Sequence, residues 1–149
     1  MDSCADRTLD SEELQRYIMS RSNNPEQFAG YNQIQVTHVD ENGAEGELKV
    51  TAHSLNAHGF VHGGCLAALC DTVGGAAVAG RGFSCVTVSY GMNFLRPAVG
   101  SLIRCKAVPE KVGKTICVYH VALIDEKERK VASGSFTFYI LGPLDMGKE

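Results

Sequence analysis

Asn56-Ala57-His58-Gly59-Phe60-Val61-His62-Gly63-Gly64-Cys65-Leu66-Ala67-Ala68-Leu69-Cys70-Asp71-Thr72-Val73 is where the texture of this 149-residue chain changes. From Gly63 to Gly80 the residues are small and apolar. There is no proline and few residues are β-branched, which predicts a helix. That helix is apolar nearly all round, so it is expected to be buried on most sides. Asp71 interrupts it. A carboxylate in a buried helix is costly unless it is paired or used, and burial would raise its pKa toward the range of a general base. Two readings stay open for Asp71. One is a catalytic carboxylate; the other is a structural one, salt-bridged to an arginine or hydrogen-bonded inside an interface.

Gly63-Gly64 opens the helix. The first amides of a helix lack internal partners and form a ready site for negative charge, such as a developing oxyanion. A tight loop-to-helix turn is the competing reading of the same glycines. Gly63 and Asp71 lie eight residues apart, about 12 Å along the axis at the helical rise. A water activated at Asp71 and a carbonyl polarised at Gly63 must meet within about 3 Å, so one helix cannot supply both. Two antiparallel helices across a two-fold axis can. If both residues are catalytic, the site is shared between subunits. The line Gly63, Ala67, Asp71, Gly75, Ala79 leaves room for a ligand or a second helix.

Outward from the helix, the flanks read as strands. Tyr31 to Val39 and Ala44 to Ala52 are joined by the hairpin signal Asn42-Gly43. Val86 to Phe94, Leu102 to Val108, Thr115 to Ile124 and Val131 to Ile140 follow, with turns at Gly113-Lys114 and Asp125 to Lys130. Leu9 to Arg21 reads as an amphipathic helix capped by Asp10 or Ser11, with Leu14, Tyr17 and Ile18 on one face. One long helix among antiparallel strands gives an α+β class. The segments are 1–29, helical; 30–141, the main domain; and 142–149, a tail.

A net charge of −3 argues against a nucleic-acid binder and a polybasic membrane anchor. No apolar run is long enough to span a membrane. Six cysteines sit mostly in apolar segments without a CxxC pair, and the N-terminus is acidic, which predicts reduced thiols and a cytoplasmic protein, with a mitochondrial or other organellar location left open. Cys65 and Cys70 lie near His62, but apolar surroundings raise a thiol pKa and argue against a nucleophile. No Gly-x-Ser-x-Gly elbow occurs. The histidines lack ligand spacing, so no metal and no cofactor is expected. His62 reads either as orienting the loop or substrate, or as a structural tie. Asn56 reads as holding a water or a carbonyl, or as an Asx-turn.

These residues resemble the HGG subgroup of hotdog-fold thioesterases, the PaaI-like acyl-CoA thioesterases. The resemblance rests on Asn56-x-x-Gly59-x-x-His62-Gly63-Gly64, on Asp71 nine residues after His62, and on Val86-Thr87-Val88-Ser89-Tyr90-x-Met92-Asn93-Phe94-Leu95-Arg96-Pro97-Ala98. It implies a hotdog fold, in which a curved antiparallel sheet of about six strands wraps a long central helix. It also implies hydrolysis of acyl-CoA thioesters in a dimer of dimers. Asp71 then corresponds to the general base or nucleophile, Gly63 to the carbonyl-polarising amide with help from Gly64, Asn56 to the residue placing water or substrate, and His62 to its support. Thr87 stands where relatives often carry Ser or Thr, with Val88 and Ser89 beside it. Arg96, Arg104, Lys106, Lys111 and Lys114 are candidates for the CoA phosphates. The alternatives are a hotdog dehydratase or hydratase, and a non-catalytic acyl-CoA binding module.

Overall fold

The computed structural model describes residues 11–147. Its elements are α1 (Ser11–Ser22), α2 (Phe28–Tyr31), β1 (Ile34–Asp40), β2 (Gly43–Lys49), α3 (Gly63–Ala79), β3 (Phe83–Phe94), β4 (Leu102–Val112), β5 (Ile116–Ile124) and β6 (Lys130–Pro143). The six strands form one antiparallel sheet in the order β1-β2-β4-β5-β6-β3. It curves around α3 in the hotdog arrangement.

The hairpin between β1 and β2 turns where Asn42-Gly43 predicted. Gly43 has φ +143°, and a Cβ there would lie 2.2 Å from the Ala107 carbonyl oxygen, so only glycine fits. β5 sits between two strands and alternates buried with half-buried residues along its whole length, as a strand with one face on a core should. Its Tyr119, Val121 and Leu123 meet Leu69, Val73 and Ala77 of α3 in one continuous core with Phe136 and Phe138 of β6.

Several boundaries differ from expectation. β3 begins at Phe83 rather than Val86, and β6 runs to Pro143, past Ile140 and into the segment expected to be a tail, because Phe83 and Ser84 pair with Pro143 and Gly142. Tyr31 belongs to the short helix α2, not to the first strand; Gln33, with φ +64°, breaks the chain between them. The second strand ends at Lys49, and Ala52–Ser54 form a 3-10 turn capped by Thr51. β4 does not stop before Pro109 but continues to Val112. The register shifts between Pro109 and Lys111, and β2 reaches only Ala107, so the proline lies at a bulge on an unpaired edge, where its missing N–H costs no ladder bond.

The side of α3 away from the sheet is only partly covered. Adjacent glycines mark the division: a Cβ on Gly74 would meet the Phe138 ring at 2.8 Å, whereas one on Gly75 would meet nothing within 4 Å. The open line runs through Gly64, Ala68, Asp71, Thr72, Gly75 and Ala79. Ala67, expected on it, is buried, at 8% exposed. Steps of four residues advance about 40° beyond a full turn, so a line of fixed fours drifts off any one face. β3 is an edge strand with Val86, Val88 and Tyr90 exposed.

Candidate active site

The loop before α3 is held by main-chain bonds. Asn56 N–H donates to Phe60 O at 2.7 Å, Val61 N–H to Ala98 O at 2.9 Å and His62 N–H to Ser54 O at 2.8 Å. Asn56 Oδ1 accepts the N–H groups of His58 at 2.9 Å and Phe60 at 3.1 Å. Only the oxygen can accept, so the amide orientation is set. Asn56 is therefore an Asx-turn residue, and its NH₂ group is directed away from the loop backbone.

His62 caps α3. Its Nδ1 accepts the Gly64 N–H at 2.8 Å, so a neutral ring carries its proton on Nε2. The amides of Cys65 and Leu66 donate to His62 O. The Gly63 N–H makes no hydrogen bond among the described residues. Of the helix's first donors, Gly63 is thus the one left open, and Gly64 is occupied by His62. Gly63 lines a cleft of ≈ 410 Å³ with Asn56, Phe60, Phe94 and Arg96. The Phe94 ring lies 3.5 Å from where a Gly63 Cβ would stand. Arg96 is tethered there by its Nε, which donates to Lys130 O at 3.2 Å.

Asp71 lies elsewhere along the same helix. Thr87 Oγ1 donates to Asp71 Oδ1 at 2.6 Å, which fixes the carboxylate's rotation and leaves Oδ2 without a partner among the described residues. Asp71 is half-buried, not enclosed, because it lies on the open side of α3. No ion pair with an arginine holds it among the described residues. The carboxylate lines a second cleft of ≈ 340 Å³ with Thr72, Cys85, Thr87, Phe138 and residues of α1. Burial, then the Cys117 thiol and the Asp71 carboxylate, push the Cys85 thiol up to about 11. Burial also raises Cys65. Both remain protonated near neutrality and are poor nucleophiles. Cys65, Cys70, Cys85, Cys105 and Cys117 are free thiols, and Cys4 lies outside the described residues.

A bulge aims Thr87. Thr87 pairs with Phe138 and Ser89 with Thr137, so Val88 is the extra residue. Thr87 reaches Asp71, and Phe94, seven residues on, reaches Gly63. Residues an odd number apart face opposite sides of a regular strand, and the bulge restores both to the helix side.

One cleft therefore gathers Asn56, Gly63 and Arg96; the other gathers Asp71 and Thr87. Lys114, at the β4–β5 turn, lines neither cleft, nor do Val88 and Ser89 on the β3 edge. Cys85 and Phe94 also line the clefts, although nothing in the sequence singles them out for that role. Tyr17 and Ile18 had been read as the apolar face of a helix, and no local signal marks them as cleft residues.

Residues 58–132 match the thioesterase superfamily. That is half of the chain, and the chain belongs to this superfamily. The acyl-coenzyme A thioesterase PaaI of Escherichia coli is 32% identical over 100 residues, covering 66% of this chain and 71% of PaaI. A Schizosaccharomyces pombe protein provisionally named an esterase is 34% identical over 115 residues, covering 74% and 71%. The solved PaaI structure superposes with a TM-score of 0.78 at 25% identity, over 87% of this chain and 97% of that one. A hypothetical thioesterase of Streptococcus pneumoniae, solved with coenzyme A, gives 0.72 at 27% identity, over 75% and 88%. Variants of the pneumococcal protein with alanine for an aspartate and for a threonine sixteen residues later are also solved; Asp71 and Thr87 have the same separation.

Proposed function

We propose that the protein hydrolyses acyl-CoA thioesters to a free acid and CoA. The observation that carries this reading is the Asp71–Thr87 pair in an open cleft, on the same helix as the free Gly63 amide. Asp71 Oδ2 takes a proton from water as the water attacks the thioester carbonyl. The Gly63 N–H and the Asn56 NH₂ donate to the carbonyl oxygen as it gains charge. Collapse of the tetrahedral species breaks the C–S bond, and the proton held by Asp71 goes to the departing thiolate. His62 acts through the loop by capping α3, and Arg96 stands at the rim where CoA's phosphates would be met.

Gly63 and Asp71 open into different clefts, so the reading requires Gly63 of a second copy to stand beside Asp71 of the first. The uncovered line of small residues on α3 and the long exposed edge of β3 support such a pairing, because an apolar edge strand invites a second strand. A dimer of dimers built from this contact is the proposed assembly. No helix among the described residues is long and apolar enough to cross a membrane.

The test is free-thiol release from a panel of short, long and aryl acyl-CoAs, with Asp71→Ala as the comparison. Turnover that largely disappears in the variant, with the oligomer retained, supports hydrolysis. A wild-type protein that converts 3-hydroxyacyl esters without releasing thiol would make it a dehydratase instead. One that binds the esters without changing them would make it a binding module.

A further inference from the structure

One wall of the Gly63 cleft is built by Phe94, Leu95, Arg96, Pro97 and Ala98. The β5–β6 turn and the start of β6 tie this segment down at both ends. Upstream, the Leu95 N–H donates to Val131 O at 2.8 Å and Arg96 Nε to Lys130 O at 3.2 Å. Downstream, Glu126 gathers three donors on one carboxylate oxygen. They are the Ser101 N–H at 2.6 Å, the Ser101 hydroxyl at 3.0 Å and the Leu102 N–H at 3.3 Å. Gly100, with φ +100°, carries the chain past that oxygen, and a Cβ there would lie 2.6 Å from it. Between the two ties, Ala98 O accepts the Val61 N–H at 2.9 Å. Val61 stands two residues before Gly63.

Glu126 is exposed and makes no ion pair among the described residues. The bonds from Ser101, main chain first and then hydroxyl, hold its carboxyl below the usual carboxylate range. It is therefore ionised near neutrality, and its three bonds are charge-assisted. Val50 N–H donates to Ser101 O at 2.9 Å, so Val50 holds the Ser101 carbonyl and Glu126 its N–H. A segment pinned at both ends fixes the carbonyl in its middle, and Ala98 O is the bond that joins it to the chain entering α3. The direction of the Gly63 N–H follows from the backbone of Val61 and His62. A donor aimed at developing charge has to be in place beforehand, and a misplacement of about 1 Å can cost about 10²-fold. Resting on the hydrolase reading above, we propose that Glu126 is a positioning residue for the reaction. Through the 94–102 segment and Ala98, it aims the Gly63 amide at the thioester carbonyl.

The experiment compares wild type, Glu126→Ala, Glu126→Gln and Gly100→Ala, all well below their melting temperatures. Thiol release gives kcat and KM, and hydrogen–deuterium exchange is followed on peptides covering 55–66 and 94–102. Glu126→Ala should lower kcat by about tenfold, within the range for a misplaced group. KM should move by less than about threefold, because the lost interaction belongs to the transition state and Arg96 keeps its own tie to Lys130. Exchange should quicken in both peptides, as the bond through Ala98 requires. Glu126→Gln keeps an oxygen for the same donors and should recover most of kcat. Gly100→Ala displaces Glu126 from the loop side and should reproduce the loss, so the test does not hang on one variant's folding. A kcat within about twofold of wild type in both Glu126→Ala and Gly100→Ala, with only the melting temperature lowered, would make the tie structural and overturn the proposal. So would faster exchange confined to 94–102, or a Glu126→Gln variant as slow as Glu126→Ala, which would assign the effect to charge. If wild type releases no thiol from any ester, the hydrolase reading fails and the exchange measurement decides alone. Faster exchange at 55–66 in Glu126→Ala then upholds the positioning of the helix start; no change there overturns it.

Discussion

At the start of α3, Gly63 presents a main-chain donor; two turns on, Asp71 presents a side-chain carboxylate, and each opens into its own cleft. The two regions are built by different means. At Gly63 the donor exists because a helix start has unpaired amides and because His62 occupies Gly64 but not Gly63. At Asp71 the acceptor exists because a carboxylate sits on the uncovered side of a helix and Thr87 fixes its rotation. A function carried by backbone tolerates changes of side chain, and one carried by a side chain does not. A single chain does not bring the two together, and in the proposed reading each region is therefore half of a site.

The largest effect is expected from removing either half. Asp71→Asn should lower kcat by about 10²–10⁴-fold, the range for a general base. Gly63→Pro should lower it by about 10²–10³-fold, because it deletes the N–H. Proline suits the first helical position, and His62 already has the extended backbone, φ −59° and ψ 134°, that must precede one. Gly63→Ala keeps the N–H, and its methyl would stand 3.5 Å from the Phe94 ring, an ordinary contact; it should cost far less than Gly63→Pro. Equal losses in the two Gly63 variants, measured by thiol release, would mean that the glycine is there for space.

Mixing the two dead variants sharpens the comparison further. If the halves belong to different copies, co-refolded Asp71→Asn and Gly63→Pro chains regain a substantial fraction of activity, since a mixed dimer contains one intact site. Mixtures no more active than their components would place both groups in one chain and break the argument from helix length.

Asn56→Asp is expected to act more weakly, by about tenfold in kcat/KM, the scale of one hydrogen bond. The aspartate retains both acceptor bonds of the turn, to His58 and Phe60, but loses the NH₂ donor and puts a charged oxygen in its place, so the loss is at least that large. Comparison with Asn56→Ala, which loses the turn as well, separates the two roles: a larger fall in melting temperature for alanine, with a similar kinetic defect, assigns the NH₂ to the carbonyl.

The smallest kinetic effect is expected at a buried carboxylate that lines neither cleft. Asp125, 2% exposed, accepts the N–H groups of Lys127 and Arg129 and pairs with the Arg129 guanidinium at 2.9 Å. Burial pushes its carboxyl up, but those donors and the Arg129 charge outweigh it and hold the group below the usual carboxylate range. A carboxyl whose folded pKa is depressed stabilises above its unfolded pKa, and that contribution is lost as pH falls through the folded one. Asp125→Asn should therefore lower the melting temperature at neutral pH while leaving kcat unchanged. The gap from wild type should close as the pH drops below the unfolded carboxylate's value of about 4. A gap that widens in acid would refute the assignment.

Much of this architecture is legible from neighbours in the chain. The apolar run from Gly63 predicts the central helix, Asn42-Gly43 the hairpin, and the eight-residue spacing of Gly63 and Asp71 their separation into two clefts. These follow from local periodicity and turn chemistry, which a sequence carries directly. Four features come only from the folded chain: the bulge at Val88 that turns Thr87 onto Asp71, the passage of β4 through Pro109, the occupation of Gly64 by His62, and the meeting of Tyr17 and Leu144 at the Asp71 cleft. The bulges depend on which strand lies alongside, and the meeting of Tyr17 and Leu144 on segments more than a hundred residues apart. The loop closure depends on which amide a ring nitrogen reaches once the loop is packed. Chain distance bears on none of these, because register and long-range contact are chosen by the burial of the whole sheet against α3.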